Sequence, residues 1–416
     1  MTGSIVERPA VAVVGGGPAG LTAAANLAGR VDGEVLVLDR ETAAGGIPRH
    51  SDHTGYGIRD KRSVMRGPDY ARRLVREAVD AGALLRTSAM VTGWSADGAL
   101  EVTSPDGRYT VNADAVVLAT GARERPRTAR LIPGDRPHGV LTTGQLQNLV
   151  HLHHRDVGKK AVVVGAELVS WSAVVTLRET GCSTALMVTH HDSPESYAAF
   201  NLAGRFALRT PIATSTRVTR IIGKGVLEGV EIEDLGTRRR RVVECDTVVF
   251  TGDWIPDHEL ARSAGLDMDP ATRGPRVDTA LRTSKPGVFA VGNLLHPVDT
   301  ADIAALDGRH VAQQVVAYLD GARPAHTGVS ITAAAPFRWV APHVLRPGDP
   351  PPPRGRMLLW TDELIRTPRV SVQQDGQTIV ARRMPWPASP GRVFRIPSSM
   401  LDDVDRRGGT VTIGVQ

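Results

Sequence analysis

Gly15, Gly17 and Gly20 stand in the run Val11-Ala12-Val13-Val14-Gly15-Gly16-Gly17-Pro18-Ala19-Gly20-Leu21, and Asp39 closes a second apolar run, Val35-Leu36-Val37-Leu38, nineteen positions after Gly20. The spacing is Gly-x-Gly-x-x-Gly. Gly15 permits a tight turn, Gly17 lacks the Cβ that would keep a pyrophosphate off the backbone, and Gly20 lets the following helix pack close to the preceding strand. The helix N-terminus offers unpaired N–H groups and a partial positive charge to the phosphates. The Asp39 carboxylate falls where the hydroxyls of an adenosine ribose would be gripped. A strand before the turn, a helix after it and an acid at this distance make a dinucleotide the expected ligand.

The elements that must position these groups follow from the apolar pattern. The first unit runs from about residue 10 to 157 and contains the opening strand, turn and helix, the Asp39 strand, and a loop rich in Gly, His and Arg from 45 to 67. Ala71, Leu74, Val75 and Ala78 have helical spacing and predict a helix from about Pro68 to Ala81. Short strands around residues 84–87, 100–103 and 109–111 lead to the apolar strand Ala115-Val116-Val117-Leu118. A second strand, turn and helix begins at Lys160, with Gly165, Glu167 and Ser170 at the turn positions. A meander follows, then Val248-Val249-Phe250-Thr251-Gly252, then Gly287-Val288-Phe289-Ala290-Val291-Gly292-Asn293, then a helix from about Ala301 to Leu319. Beyond Gly321 the composition shifts to a Pro-rich stretch and short strands.

Composition narrows the class. The chain has 416 residues, 41% hydrophobic and 23% charged, which suits two or three globular domains. No apolar run reaches the ~18–20 residues of a bilayer span, and the polar start of the chain predicts no secretory signal. Two cysteines, Cys182 and Cys245, make no disulfide framework, so the expected location is the cytoplasm. The net charge is +6, but the basic residues are scattered apart from Arg238-Arg239-Arg240-Arg241, read as a solvated hairpin tip. With 4% aromatic residues there are few stacking platforms, and nucleic acid is not an expected partner. No cluster has metal-ligand spacing; His151, His153 and His154 read as a polar group before a loop.

Four motifs in order resemble the FAD-dependent pyridine-nucleotide–disulfide oxidoreductase superfamily, the two-dinucleotide-domain flavoproteins. They are the glycine turn with Asp39; Ala119-Thr120-Gly121-Ala122-Arg123-Glu124-Arg125-Pro126 with Pro133-Gly134; Thr251-Gly252-Asp253-Trp254-Ile255-Pro256-Asp257; and Gly287 to Asn293. Gly45-Gly46 resembles the paired glycine of the thioredoxin reductase branch. The resemblance implies an α/β fold with two Rossmann-like domains, the second inserted in the first, and a small β-rich C-terminal domain. The implied boundaries are 1–157 and 248–325 for an FAD domain, 158–247 for a nicotinamide-type domain, and 326–416 for the tail. FAD contacts are implied at Gly15, Gly17, Pro18, Ala19, Gly20, Asp39, Arg40, Gly45, Gly46, Val91, Ala119, Thr120, Gly121, Gly292, Asn293 and Asp302. Asn293 replaces the usual Asp, and its amide still donates and accepts.

Two departures redirect the expected function. Cys182 and Cys245 are not a closely spaced pair and lie outside every flavin motif, so they read as packed thiols rather than a dithiol centre. In the second turn Glu167 replaces the glycine that admits the pyrophosphate, setting a side chain and a like charge in its approach, so NAD(P) binding is expected to be weak or absent. The segments implied to lie near the isoalloxazine carry His50, His53 and His296, candidates for accepting a proton during hydride loss, and Asp299, Asp302 and Asp307 at a helix entry whose positive end favours negative charge on the reduced flavin. The expected activity is an FAD-dependent oxidoreductase, or the flavin subunit of a multi-subunit dehydrogenase, oxidising a small amine, amino acid or hydroxy compound; a glycerol-3-phosphate-dehydrogenase-like or amino-acid-dehydrogenase-like partner is implied by resemblance. The alternatives are an NAD(P)H-dependent flavin reductase serving a protein or quinone, and a non-catalytic FAD-holding subunit.

Overall fold

The computed structural model describes residues 6–296 and 299–416. Two compact units emerge: one of residues 1–49, 55–122 and 256–416, the other of residues 50–54 and 123–255.

The first unit is built on a five-stranded sheet in the order Val288–Ala290, Ala115–Leu118, Val11–Val14, Val35–Leu38, Leu84–Arg86. The pairings along it are parallel. Four of its strands are apolar throughout because both faces are covered, with Val11, Val13, Val37 and Val117 fully buried, while the edge strand Leu84–Arg86 is partly exposed. Helix Pro18–Leu27 leaves the glycine turn, and the predicted helix at 68–81 spans Gly67–Asp80. The long helix Ala301–Leu319 packs against Pro18–Leu27 so closely that a Cβ at Gly308 would collide with the Ala19 carbonyl.

The tail belongs to this unit and folds around its own core, which includes Phe337, Met357, Leu359, Phe394 and Ile396. Its strands form a five-stranded and a three-stranded sheet. Polar contacts tie it to the rest of the unit. His343 N–H donates to the Val277 carbonyl at 2.8 Å, and Arg354 pairs with Asp307 at 2.9 Å.

The second unit has its own parallel sheet, in the order Val140–Thr142, Thr247–Phe250, Lys160–Val164, Ser183–Val188, Ile212–Ala213. Helix Leu168–Glu179 follows its turn, and a three-stranded antiparallel meander covers residues 216–244. This partition differs from the expected boundaries at 157/158 and 247/248. Val140–Thr142 pairs in parallel with Val248–Phe250, so both the segment before Lys160 and the strand after 247 belong to the second sheet. The arginine run is not simply a solvated tip. Arg238 and Arg240 reach the buried Glu233 at 2.9 and 3.0 Å, and Arg217 reaches it at 3.3 Å.

Candidate functional site

In the first unit, the ends of Val11–Val14, Ala115–Leu118 and Val288–Ala290 converge on the glycine turn. Gly15 has φ +107°, and a Cβ there would collide with the Ala119 carbonyl oxygen. A Cβ at Gly20 would collide with the Gly15 carbonyl. Gly17 differs in kind. It caps helix Pro18–Leu27 with extended backbone and no side-chain hydrogen bond, and a Cβ built on it would find only the Gly46 Cα at 4.0 Å. The second glycine pair lies beside it: Gly45 N–H donates to the Gly16 carbonyl at 2.7 Å, and a Cβ on Gly46 would come within 2.9 Å of the Gly17 Cα. Bare backbone and an uncapped helix end therefore share one small space, which fits the pyrophosphate of FAD.

Asp39 is buried and fixed at both oxygens: Oδ2 accepts from Gly16 N–H and Oδ1 from Glu41 N–H, each at 2.8 Å. Burial raises its pKa and those backbone donors lower it. Each oxygen keeps a lone pair for a ribose hydroxyl. Ala89 N–H donates to the Asp39 carbonyl at 2.9 Å, which brings the strand of Val91 beside this acid. Arg40 reaches Asp257 at 3.3 Å, and Thr120 donates to the Asp257 carbonyl at 2.7 Å, so the end of the Ala115–Leu118 strand, with Ala119 and Gly121, is tied to the returning chain. All sixteen residues implied to contact FAD lie in the first unit.

Gly292 turns with φ +72° against the Ala19 Cβ. Asn293 then holds Asp299: its side-chain oxygen accepts from Asp299 N–H at 2.8 Å, and its amide donates to the Asp299 carbonyl at 3.1 Å. The three acids at the entry of the long helix each take an arginine from a distant segment. Asp299 pairs with Arg395, Asp302 with Arg59 at 3.2 Å and Asp307 with Arg354 at 2.9 Å. Asp302 also accepts from the backbone N–H groups of Arg59 and Ile303, at 3.1 and 3.0 Å. Burial pushes Asp307 up to about 6 despite Arg354. These arginine partners carry no local sequence signal.

His296 is buried and stacks on Trp339 of the tail, ring centroids 5.3 Å apart. His50 and His53 lie in the second unit. The His53 ring contacts Ser51 Oγ at 3.0 Å and the Thr54 carbonyl at 2.8 Å, and the His50 carbonyl is bonded to His151, whose other ring nitrogen meets Glu179 at 2.9 Å.

The turn of the second unit repeats the geometry of the first with different chemistry. Gly165 has φ +128°. Ser170, fully buried, accepts from Glu167 N–H at 3.1 Å and shares a 2.6 Å hydrogen bond with Thr251 Oγ1. The Glu167 carboxylate lies directly over Gly252 and would collide with a Cβ there. Burial first, then Glu195, pushes its pKa up to about 8. Glu195 is itself buried and accepts from Thr189 Oγ1 at 2.9 Å. Ser196 N–H donates to the Ala166 carbonyl at 3.0 Å, so the segment after the second strand folds back onto the turn. Arg130 donates to the Thr251 and Gly252 carbonyls, both at 2.8 Å. The Ser196–Ala166 bond is the counterpart of the Gly45–Gly16 bond of the first unit, and what differs is the Glu167 carboxyl group, which stands where the first unit has the bare backbone of Gly17.

Cys182 and Cys245 are buried at strand edges of the second unit, and burial pushes both thiols up to about 12. A thiol held there is not the nucleophile that disulfide exchange needs. Among the described residues no helix is long and apolar enough to cross a membrane.

Residues 9–315 match the family described as pyridine nucleotide-disulphide oxidoreductase. The chain is 28% identical over 328 residues to thioredoxin reductase of Treponema pallidum (strain Nichols), covering 77% of this chain and 96% of that protein. It is 27% identical over 337 residues to an opine oxidase subunit of Rhizobium meliloti, covering 74% of this chain and 61% of the relative. Its fold is that of T. acidophilum thioredoxin reductase, with a TM-score of 0.64 at 22% identity over 75% of this chain and 99% of that one.

Proposed function

This chain belongs to the pyridine nucleotide-disulphide oxidoreductase family as an FAD-dependent oxidoreductase, and on that footing we propose that its flavin is reduced by a small amine, amino acid or hydroxy compound rather than by NAD(P)H. The observation that carries the reading is the filled turn of the second unit. Glu167 lies over Gly252 and puts a side chain where the first unit offers the bare backbone of Gly17. Burial keeps that carboxyl protonated up to about 8, so at neutral pH it obstructs by its bulk. The two buried thiols leave no dithiol to take the electrons onward. The likeness to an opine oxidase subunit favours a substrate of the opine class, and a dehydrogenase partner that shares the work.

FAD, when bound, supplies the hydride acceptor. The residues of this chain do the rest. The first-unit turn offers the pyrophosphate the bare backbone of Gly17 and Gly46, with Gly15 and Gly20 holding the turn and helix in place, and Asp39 orients the ribose. Asn293 fixes the entry of the long helix through Asp299. His296, three residues beyond Asn293 and held by Trp339, is a candidate in the first unit to accept the substrate proton.

The second reading is an NAD(P)H-dependent reductase, favoured by the thioredoxin reductase likeness across nearly the whole length of that relative. Anaerobic stopped-flow separates the two. The flavin absorbance is followed after mixing with NADH, with NADPH, and with a panel of opines, imino acids and hydroxy acids. The proposal expects bleaching by a member of the panel and none by either nucleotide at micromolar concentration. Rapid, saturable bleaching by a nucleotide would select the second reading.

A further inference from the structure

Asp307, in helix Ala301–Leu319, is bonded at one oxygen only. Arg354 reaches its Oδ1 twice, through Nε at 3.1 Å and Nη2 at 2.9 Å, and among the described residues no group donates to Oδ2. The residue is 3% exposed, and a carboxyl oxygen enclosed to that degree needs a donor. Asp307 lines a cavity of about 20 Å³, and His296 lines the same cavity. That volume admits one ordered water, and a water there has polar partners in Asp307, His296, Arg354 and Arg356. Much of the remaining wall is apolar, with Val277, Leu281 and Leu358.

The charges around Asp307 leave it able to take a proton near neutrality. Burial raises its pKa, Arg354 and Arg395 of the tail lower it, Asp299 at the helix entry raises it, and the result is about 6. Arg356 borders the cavity from the tail, and His310 of the same helix is engaged with the Thr279 carbonyl at 2.9 Å. His343 interacts with His296 but is a poor destination for a proton. Burial pushes it down to about 4, and its Nδ1 accepts from the Val277 N–H at 3.3 Å. Asp307, by contrast, holds a proton about as tightly as an ordinary histidine does.

We propose that Asp307 stands behind His296 in a proton path: a water in this cavity carries to Oδ2 the proton that His296 takes during substrate oxidation. The inference rests on His296 being the base of the proposed oxidation. In the step, an N–H bond of protonated His296 breaks as its proton passes to the water, and an O–H bond of that water breaks as its proton passes to Oδ2. The water is restored, His296 returns to its neutral form and Asp307 becomes a neutral carboxylic acid. No electrons move. Arg354, bound at Oδ1, leaves Oδ2 for the water.

The test uses the full flavin-loaded chain. A high-resolution crystal structure should show an ordered water within hydrogen-bond reach of Asp307 Oδ2 and a ring nitrogen of His296. In NMR of histidine-labelled protein, with His296 assigned by its loss in His296→Gln, the ring should report a second inflection near 6 that Asp307→Asn removes. With the opine, imino acid or hydroxy acid that bleaches the flavin, the saturating reduction rate should rise with pH through about 6. Asp307→Asn should remove that limb and slow reduction about tenfold or more, with the half-saturating concentration little changed. Arg354→Met keeps the carboxyl and removes its counter-charge, so it should move the limb upward by about one pH unit or more. A merely structural role would slow reduction without moving the limb. Melting temperature and flavin content report whether each variant is folded. If no compound bleaches the flavin, the proposed oxidation fails, and the crystal and NMR measurements on the resting protein still decide on the water path. A cavity without a water at Oδ2, or a His296 titration that Asp307→Asn leaves unchanged, would overturn the proposal.

Discussion

Asn293 grips Asp299 at both ends of its backbone, accepting from its N–H at 2.8 Å and donating to its carbonyl at 3.1 Å. Aspartate, which the resemblance leads one to expect at 293, can make only the first of these bonds. Asn293→Asp should therefore cost ~1 kcal/mol through the lost donor, while Asn293→Ala, which leaves both Asp299 groups without their partner, should cost ~1–3 kcal/mol. Thermal melting followed by flavin release checks the order of the two variants.

Gly17 and Gly20 should fail differently when given side chains. Gly17 has φ −83° and ψ −175°, a conformation open to any residue, and only the Gly46 Cα lies near its missing Cβ. Gly17→Val should fold and lose FAD because the side chain fills the pyrophosphate space. Gly20→Ala drives a methyl group into the Gly15 carbonyl and should lose ~3 kcal/mol or more of stability. Circular dichroism and bound-flavin absorbance separate the outcomes; full flavin occupancy in Gly17→Val would remove the first unit as the FAD site.

Cys182→Ser with Cys245→Ser should leave the reduced-flavin spectrum unchanged, since both thiols are buried and pushed up to about 12. Alkylation of the native wild type should be slow and should accelerate on unfolding. A thiol-dependent charge-transfer band in the reduced wild type, absent from the double variant, would reveal a dithiol centre.

Glu167 makes stability depend on pH with a defined sign. Burial raises its folded pKa to about 8, above the ordinary 4.5 of the unfolded chain. Between those values the unfolded state releases a proton that the folded state keeps, so the wild type should lose stability as pH rises from about 4.5 to about 8. Glu167→Gln should flatten that slope, by up to ~5 kcal/mol over the interval at ~1.4 kcal/mol per unit. Melting temperatures of both proteins across the range provide the check, and parallel curves would show that Glu167 is ionised in the native state.

The parts of this architecture set by local pattern were legible. Short apolar runs predict Val11–Val14, Val35–Leu38, Ala115–Leu118 and Lys160–Val164, and the Asp39 spacing marks the acid that is found fastened to Gly16. The early start of the second unit was not legible. Val140–Thr142 is three half-buried residues with no alternation, and only its pairing with Thr247–Phe250 assigns it. The block at the second turn was half visible. Glu167 announces a side chain, but its burial over Gly252 and beside Glu195 depends on packing between distant segments. The arginine partners of Asp299, Asp302 and Asp307 come from segments far along the chain, beyond the reach of any periodicity.

Two of those partners, Arg354 and Arg395, belong to the tail, and their acids are almost wholly enclosed. The tail is thus the counter-charge of the long helix as well as a neighbour of it. Replacing Arg354 and Arg395 by Met, with the tail kept in place, would leave Asp307 and Asp299 enclosed without their counter-charges, each costing several kcal/mol or forced to take up a proton. A chimera with another tail that covers the same acids would need arginines at the same two places. What looks in sequence like an appendage is electrically a component of the unit it covers.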